Sequence, residues 1–162
     1  MFEEVFIVLA LLVLVVFFSL ASDNFFTTRT LTAILTQLPA LTIVTIGMTL
    51  VLVSGGIDLS VGSIVALSSA VIGVALTVFE LPLPVAALMG IAAGGCAGLV
   101  NGVLGSYFRL PTFIVTLGML EAGRGLAYLV TESQTIYIGP SIQVLSLPLL
   151  GIGISPAFLI AL

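Results

Sequence analysis

Residues 31–79 read LTAILTQLPALTIVTIGMTLVLVSGGIDLSVGSIVALSSAVIGVALTVF, which is two long apolar runs joined by one short polar link. The runs cover Leu31–Ser54 and Val61–Phe79, and neither contains a charged residue. A helix needs about 20 apolar residues to cross the hydrocarbon core of a bilayer. The stretch therefore predicts two consecutive transmembrane helices with a break between them.

The same pattern continues on both sides of this stretch. Three further apolar runs are predicted as spans: Val5–Ala21, Val85–Phe108 and Thr112–Val130. Thr131–Leu149 is mixed in polarity and predicts a loop, and after Pro156 another apolar run starts that is too short for a span. We therefore predict an all-α, polytopic transmembrane helical bundle with about five complete spans plus the start of a sixth. On this interpretation residues 1–162 are the N-terminal part of a single transmembrane domain whose C-terminal half is missing.

The composition agrees with a membrane location and excludes several kinds of site. The 162 residues are 60% hydrophobic and 6% charged, with a mean hydropathy of +1.43, too apolar for the surface of a soluble domain. With no His, no Lys and one Cys, the chain lacks the residues for a zinc site, a Cys/His pair or the lysine of a P-loop. We expect no bound metal or cofactor and no enzymatic activity. The net charge of −4, without a basic patch, argues against nucleic acid as a partner.

The polar link between the first two runs is the most unusual part of the sequence. Gly55 and Gly56 allow backbone angles closed to other residues, Asp58 can accept hydrogen bonds from freed backbone N–H groups, and Ser60 stands where an N-cap would be. One interpretation is a capped turn at the membrane surface. The other is a broken helix beside a translocation path, which would include Gly62.

Small residues recur every four positions in the run Val85–Phe108. They are Gly90, Gly94, Gly98 and Gly102, with Asn101 on the same helical face. Such spacing lets helix backbones approach closely in a membrane, so we predict a packing face opposite Gly62, Ala66 and Ala70, with a hydrogen bond from Asn101 across helices. The face would serve either compact packing or sliding during a conformational change.

Two charges lie inside the run Thr112–Val130. Glu121 and Arg124 are three residues apart and therefore on one helical face, and an unpaired charge at membrane depth costs at least about 2.5 kcal/mol. We predict an ion pair that either faces the bundle interior or borders a pathway. Thr112 and Thr116 are predicted to bond carbonyl groups of their own helix.

Several of these stretches resemble one known family. GMTLV at 47–51, GGIDLSVGS at 55–63, Asn101-Gly102, PTFIVTLG at 111–118 and RGLA at 124–127 are similar to permease subunits of bacterial monosaccharide ABC importers of the ribose, xylose and arabinose type. Arg124 fits the family pattern, whereas Glu121 is not part of it.

The resemblance implies a function and a set of partners. It implies a multi-pass permease of the bacterial inner membrane that translocates a monosaccharide or similar small polyol. It also implies a second permease subunit, identical or different, together with cytoplasmic ATP-binding subunits and a periplasmic sugar-binding protein. The alternatives are an ion-coupled secondary transporter that uses Asp58 or Glu121, and a membrane scaffold built on the glycine face.

Overall fold

The structure is a computed structural model that describes residues 2–139, without the side chains of residues 2–4. Within that range it holds five α-helices and no strand. They are α1 (Phe2–Ala21), α2 (Thr28–Val53), α3 (Val61–Thr77), α4 (Leu83–Gly102) and α5 (Thr112–Val130). The predicted all-α fold is confirmed, and each predicted run holds one helix. The predicted start of a sixth span and the end of the predicted loop lie outside the described residues.

Helix boundaries follow from local residues. At the start of α2 the Thr27 hydroxyl accepts a hydrogen bond from the Thr30 N–H at 3.3 Å, as a side-chain N-cap does. Pro82 and Pro111 stand directly before α4 and α5, where their fixed φ and missing N–H are tolerated. The fourth span was predicted to end at Phe108, and the helix runs to Tyr107 because Val103–Tyr107 continues α4 as a π-helical turn, which was not predicted.

Three of the helices are long and apolar enough to cross a membrane. In the described part of the chain these are Thr28–Val53, Leu83–Tyr107 and Thr112–Val130. The apolar segments Val5–Ala21 and Val61–Thr77 are also helical, but they are shorter than the other three. The chain is therefore a helical membrane protein, and the number of five crossings stays a prediction.

α3 is the centre of the packed part of the molecule, since it contacts both α4 and α5. The buried apolar residues there are mostly small: Leu67, Ala70, Ala75, Ala86 and Ala97. Small side chains leave the helix backbones close together, which is the usual way in which helices associate in membranes. α1 and α2 make few contacts with this group and expose most of their apolar side chains.

The glycine face of α4 contacts α3 over only part of its length. A Cβ added at Gly90 would lie 2.5 Å from Ile72 Cγ1, and one at Gly94 would lie 2.9 Å from Ser68 Oγ. Among the described atoms, none lies within 4 Å of the corresponding point at Gly98 or Gly102. The packing role of Gly98 and Gly102 therefore stays a prediction.

The prediction of which side of α3 packs against the glycines of α4 was wrong. Gly90 and Gly94 meet Ile64, Ser68 and Ile72, not Gly62, Ala66 and Ala70. The reason is that Ala66 and Ala70 lie on the side of α3 turned toward α5. α5 packs closely against α3 at a glycine that the sequence did not single out, because a Cβ at Gly123 would lie 2.9 Å from Ser63 Oγ.

Candidate functional site

The helix break between α2 and α3 is the best-defined polar site in the described residues. α2 ends in a Schellman motif: the Gly55 N–H bonds the Leu52 carbonyl and the Gly56 N–H bonds the Val51 carbonyl, each at 3.0 Å. Gly55 has a φ of +82°, which a residue with a Cβ adopts only under strain. The chain then runs non-helically from Gly56 to Ser60 before α3 begins at Val61.

Two threonines of α5 hold this non-helical segment. The Ile57 N–H donates to Thr112 Oγ1 and the Leu59 N–H donates to Thr116 Oγ1, each at 3.1 Å. Thr116 Oγ1 also donates to the Ile57 carbonyl at 3.1 Å. The freed backbone groups of the break are therefore bonded by side chains more than fifty positions away in sequence.

The spacing of the two threonines matches the spacing of the backbone groups they bind. Four residues of an α-helix advance about 6 Å, and two residues of extended chain advance about 6.6 Å. Thr112 and Thr116 therefore meet the N–H groups of Ile57 and Leu59 in register. The predicted bond to the threonine's own helix is present for Thr116, whose hydroxyl donates to the Phe113 carbonyl at 3.3 Å, but the bonds of both threonines to the helix break were not predicted. The missed signal is a pair of threonines at i, i+4 directly after Pro111.

Asp58 accepts hydrogen bonds from Ser60, the last residue of the break before α3. One carboxylate oxygen of Asp58 accepts from the Ser60 N–H at 2.7 Å and from the Ser60 hydroxyl at 2.6 Å. The predicted bond from a freed N–H to Asp58 is thus present. Ser60 occupies the N-cap position of α3 as predicted, but its hydroxyl makes no capping bond because it donates to Asp58.

Asn101 ties α4 to the same point. Its Nδ2 donates to Ser60 Oγ at 2.9 Å, which is the bond across helices expected of this residue. Ser60 is fully buried, so the three side chains form a short relay from Asn101 through Ser60 to Asp58. Asn101 Oδ1 is buried and accepts no hydrogen bond from any described residue.

The other predicted residues of the break have separate surroundings. Gly56 is buried, and a Cβ there would lie 3.2 Å from Val51 Cγ1, so a larger residue fits only if the Val51 side chain shifts slightly. Gly62 is exposed, with no described atom near its missing Cβ, so it does not join the polar relay. Asp58 is half-buried and borders an open groove of about 260 Å³ between α2 and α3, with Val44, Met48 and Val61.

The predicted ion pair on α5 is present, but it is exposed and does not face the bundle interior, which was one of the two expectations. Arg124 Nη1 and Glu121 Oε1 are 3.4 Å apart, and the two side chains are 58% and 67% exposed. The pair therefore does not face the interior of the described helices. Among residues 5–139, no cluster of three or more His, Cys, Asp or Glu side chains that could hold a metal ion occurs.

Comparisons with known proteins connect this geometry to membrane transport. Residues 30–150 match a family model described as "Branched-chain amino acid transport system / permease component". The chain is 35% identical over 155 residues to the autoinducer 2 import system permease protein of Photorhabdus luminescens, which covers 95% of this chain and 46% of that protein. No solved structure matches.

Two further relatives are named for sugars. The chain is 40% identical over 131 residues to the ribose import permease protein of Escherichia coli K12, covering 81% of this chain and 40% of that protein. It is 35% identical over 130 residues to the fructose import permease protein of Rhizobium meliloti, covering 80% and 36% respectively. The chain spans less than half the length of these three relatives.

Proposed function

The chain belongs to the branched-chain amino acid transport system / permease component family, and from this premise we propose that it is part of the membrane-spanning permease of an ABC importer. The proposed cargo is a monosaccharide or a similar small polyol, since similar relatives are named for the import of ribose, fructose and autoinducer 2. The proposed location is the bacterial inner membrane.

The observation that carries the proposal is the helix break held by α4 and α5. Non-helical backbone at membrane depth is tolerated only where it is buried in protein or lines a water-filled cavity. Here the N–H groups of Ile57, Leu59 and Ser60 are all bonded to side chains, and Asp58 borders an open groove. A broken helix with satisfied backbone groups beside a groove is the arrangement that transporters use around a substrate path.

The break also suggests how a conformational change is transmitted. α3, α4 and α5 pack together, and the segment from Ile57 to Ser60 is bonded to α5 and α4. α2 lies outside this group, and its last turn ends at Gly55. We propose that α2 moves relative to α3–α5 about Gly55 and Gly56, while the threonine bonds keep the segment fixed on α5.

The proposed partners follow from the proposed assignment to an ABC importer. This chain has no lysine for a P-loop, so we assign ATP hydrolysis to cytoplasmic ATP-binding subunits. We further propose a second permease subunit, identical or different, and a periplasmic sugar-binding protein that delivers the cargo. In this arrangement the chain forms part of the path of the sugar through the membrane and binds no cofactor.

The alternative, an ion-coupled secondary transporter, has less support from the geometry. Such a transporter needs a carboxylate that is available to an ion or a proton. Asp58 already accepts two hydrogen bonds from Ser60, and Glu121 is paired with Arg124. Both carboxylates therefore have another role in the described structure.

Reconstituted uptake distinguishes the two functions. The complete permease, its ATP-binding partner and its sugar-binding protein are placed in vesicles with labelled ribose or fructose. We expect uptake with ATP and none with a proton gradient alone. Uptake driven by a proton gradient in the absence of ATP and of the ATP-binding subunit would contradict the proposal.

A further inference from the structure

A cleft between α3 and α5 remains after the helix break has been described. It is open, has a volume of about 490 Å³, and lies on the side of α3 turned away from the contacts with Gly90 and Gly94. Binding sites for small molecules have volumes of about 300–1,000 Å³, so the cleft is large enough for a monosaccharide with water.

Each wall of the cleft is one face of a helix. The α3 wall consists of four small residues at i, i+3, i+4 and i+7: Ala66, Ser69, Ala70 and Gly73. The α5 wall has the same spacing: Arg124, Ala127, Tyr128 and Thr131. This spacing places four side chains on one face of a helix. The small side chains of α3 create the space, and the larger polar side chains of α5 reach into it.

The segment after α5 closes one end of the cleft. Ile136 Cγ2 lies 3.2 Å from the position that a Cβ at Gly73 would take, and Ile138 also borders the cleft. Gly73 is buried by this contact, whereas Ser69 on the same face is exposed. The cleft therefore has two helical walls and an apolar end.

The charges in the cleft favour an uncharged polar ligand. Arg124 uses one of its five N–H donors on Glu121, at 3.4 Å, and its side chain is 58% exposed. Because Glu121 balances its charge, the pair has no net charge to attract an anion or a cation. In the cleft itself the guanidinium of Arg124 donates hydrogen bonds, and the hydroxyls of Ser69 and Tyr128 both donate and accept them.

The membrane location gives a second reason to expect a polar ligand in the cleft. A charged side chain exposed to lipid at membrane depth costs at least about 2.5 kcal/mol, so such side chains face protein or a water-filled cavity. In the described part of the chain no helix covers Arg124 or Tyr128, which is 60% exposed. A cleft with an aromatic side wall and several hydrogen-bonding groups suits a molecule with many hydroxyls.

We propose that this cleft is a binding site for the transported polyol, with Arg124, Ser69 and Tyr128 in contact with its hydroxyl groups. The assignment rests on the proposed transport function, and it places a ligand contact at the ion pair, away from the helix break. Ser69 reports on the cleft because its exposed side chain lies on the wall of small residues.

Cysteine protection tests the assignment in the complete transporter. Ser69→Cys is made in a Cys96→Ala background and treated with a water-soluble maleimide, with and without D-ribose or D-fructose, whichever the vesicles take up. At a sugar concentration about twice the dissociation constant, mass action slows alkylation about threefold. The control is Asn24→Cys, an exposed position in the connection between α1 and α2, where we expect alkylation without slowing.

The possible outcomes separate the two proposals. Normal ATP-driven uptake with unchanged alkylation of Ser69→Cys in the presence of sugar would overturn the cleft assignment and leave the transport function standing. A cysteine at position 69 that never reacts, as expected in lipid or beneath a second subunit, would overturn it too. Protection that is lost when Arg124→Gln is added would support it. Absence of ATP-driven uptake for every labelled monosaccharide and small polyol tested, ribose and fructose included, would contradict the transport function, and the cleft assignment would fall with it.

Discussion

Thr116 Oγ1 accepts a hydrogen bond from the backbone N–H of Leu59 at 3.1 Å, which fixes the helix break to α5. The same hydroxyl donates to the Ile57 carbonyl, so one side chain satisfies a donor and an acceptor that the break leaves free. In a bilayer such groups have no water to bond, and leaving them unpaired is costly. The stability of the break therefore depends on a helix that begins more than fifty residues later.

Replacing Thr116 by valine tests this bond. Thr116→Val keeps the shape of the side chain and removes the hydroxyl, so we expect the free energy of unfolding in detergent to fall by about 1–3 kcal/mol, the cost of unsatisfied polar groups. Thr116→Ser should retain most of the stability. Thr42→Val is the control, because Thr42 bonds the Leu38 carbonyl of its own helix and is exposed. Equal unfolding midpoints for Thr116→Val and Thr42→Val would show that the bond does not stabilise the break.

Asp58 is expected to act as a hydrogen-bond acceptor. Asp58→Ala removes both bonds to Ser60, and a hydrogen bond to a charged group contributes about 1.5–3 kcal/mol, so we expect a large loss of folded protein and of uptake. Asp58→Asn keeps an acceptor oxygen and should retain much more of both. If Asp58 were an ion or proton site, Asp58→Asn would abolish uptake while leaving the folded protein intact, and that result would contradict the acceptor role.

Gly90 and Gly98 should respond differently to an added methyl group. Gly90→Ala would place a Cβ 2.5 Å from Ile72 Cγ1 and 3.1 Å from the Ser68 carbonyl oxygen, so either the Ile72 side chain must shift or α3 and α4 must separate. Overpacking of this kind costs about 1–3 kcal/mol, which a lower unfolding midpoint would show. Gly98→Ala meets no described atom within 4 Å and should leave the midpoint unchanged. A loss at Gly98 as large as that at Gly90 would contradict this packing of α4.

Variants of the ion pair should affect the amount of folded protein and the rate of sugar uptake differently. Arg124→Ala leaves the Glu121 carboxylate alone at membrane depth, so we expect less folded protein than with the double change Arg124→Ala/Glu121→Ala. The double change should restore the amount of protein in the membrane but not sugar uptake, because it also removes the donors of the cleft. Equal amounts of folded protein in the single and double variants would reject the pairing, and full recovery of uptake would reject the cleft contact.

The sequence predicted those features that depend on neighbours along the chain. Pro111 and the apolar run after it predict α5 at its observed bounds, and the three-residue spacing predicts the contact between Glu121 and Arg124. The glycines and Asp58 predict a helix break and its repair by Asp58. Each of these features involves residues within about one or two helical turns.

Features that depend on the mutual orientation of helices could not be predicted. α3 has small residues such as Ala66 and Ala70 on one side and Ile64, Ser68 and Ile72 on another, and composition alone does not say which side meets Gly90 on α4. The hydrogen bond from Ile57 to Thr112 joins residues 55 positions apart, and nothing near either residue indicates the other. The π-helical turn Val103–Tyr107 has no distinctive composition, so the end of the fourth run was predicted without it.

The central claim is that the helix break, held on α5 by Thr112 and Thr116, is a working part of an ATP-driven importer. The most direct measurement is the initial rate of ATP-driven ribose or fructose uptake by vesicles with equal amounts of inserted permease. The variants are Thr112→Val/Thr116→Val and, as control, Thr32→Val/Thr36→Val, a pair with the same spacing on α2 whose hydroxyls bond only their own helix.

We expect the α5 pair to lower the rate by about tenfold or more, equivalent to about 1.4 kcal/mol, and the α2 pair to leave the rate close to that of the unchanged protein. Equal uptake rates for the two pairs would contradict the central claim.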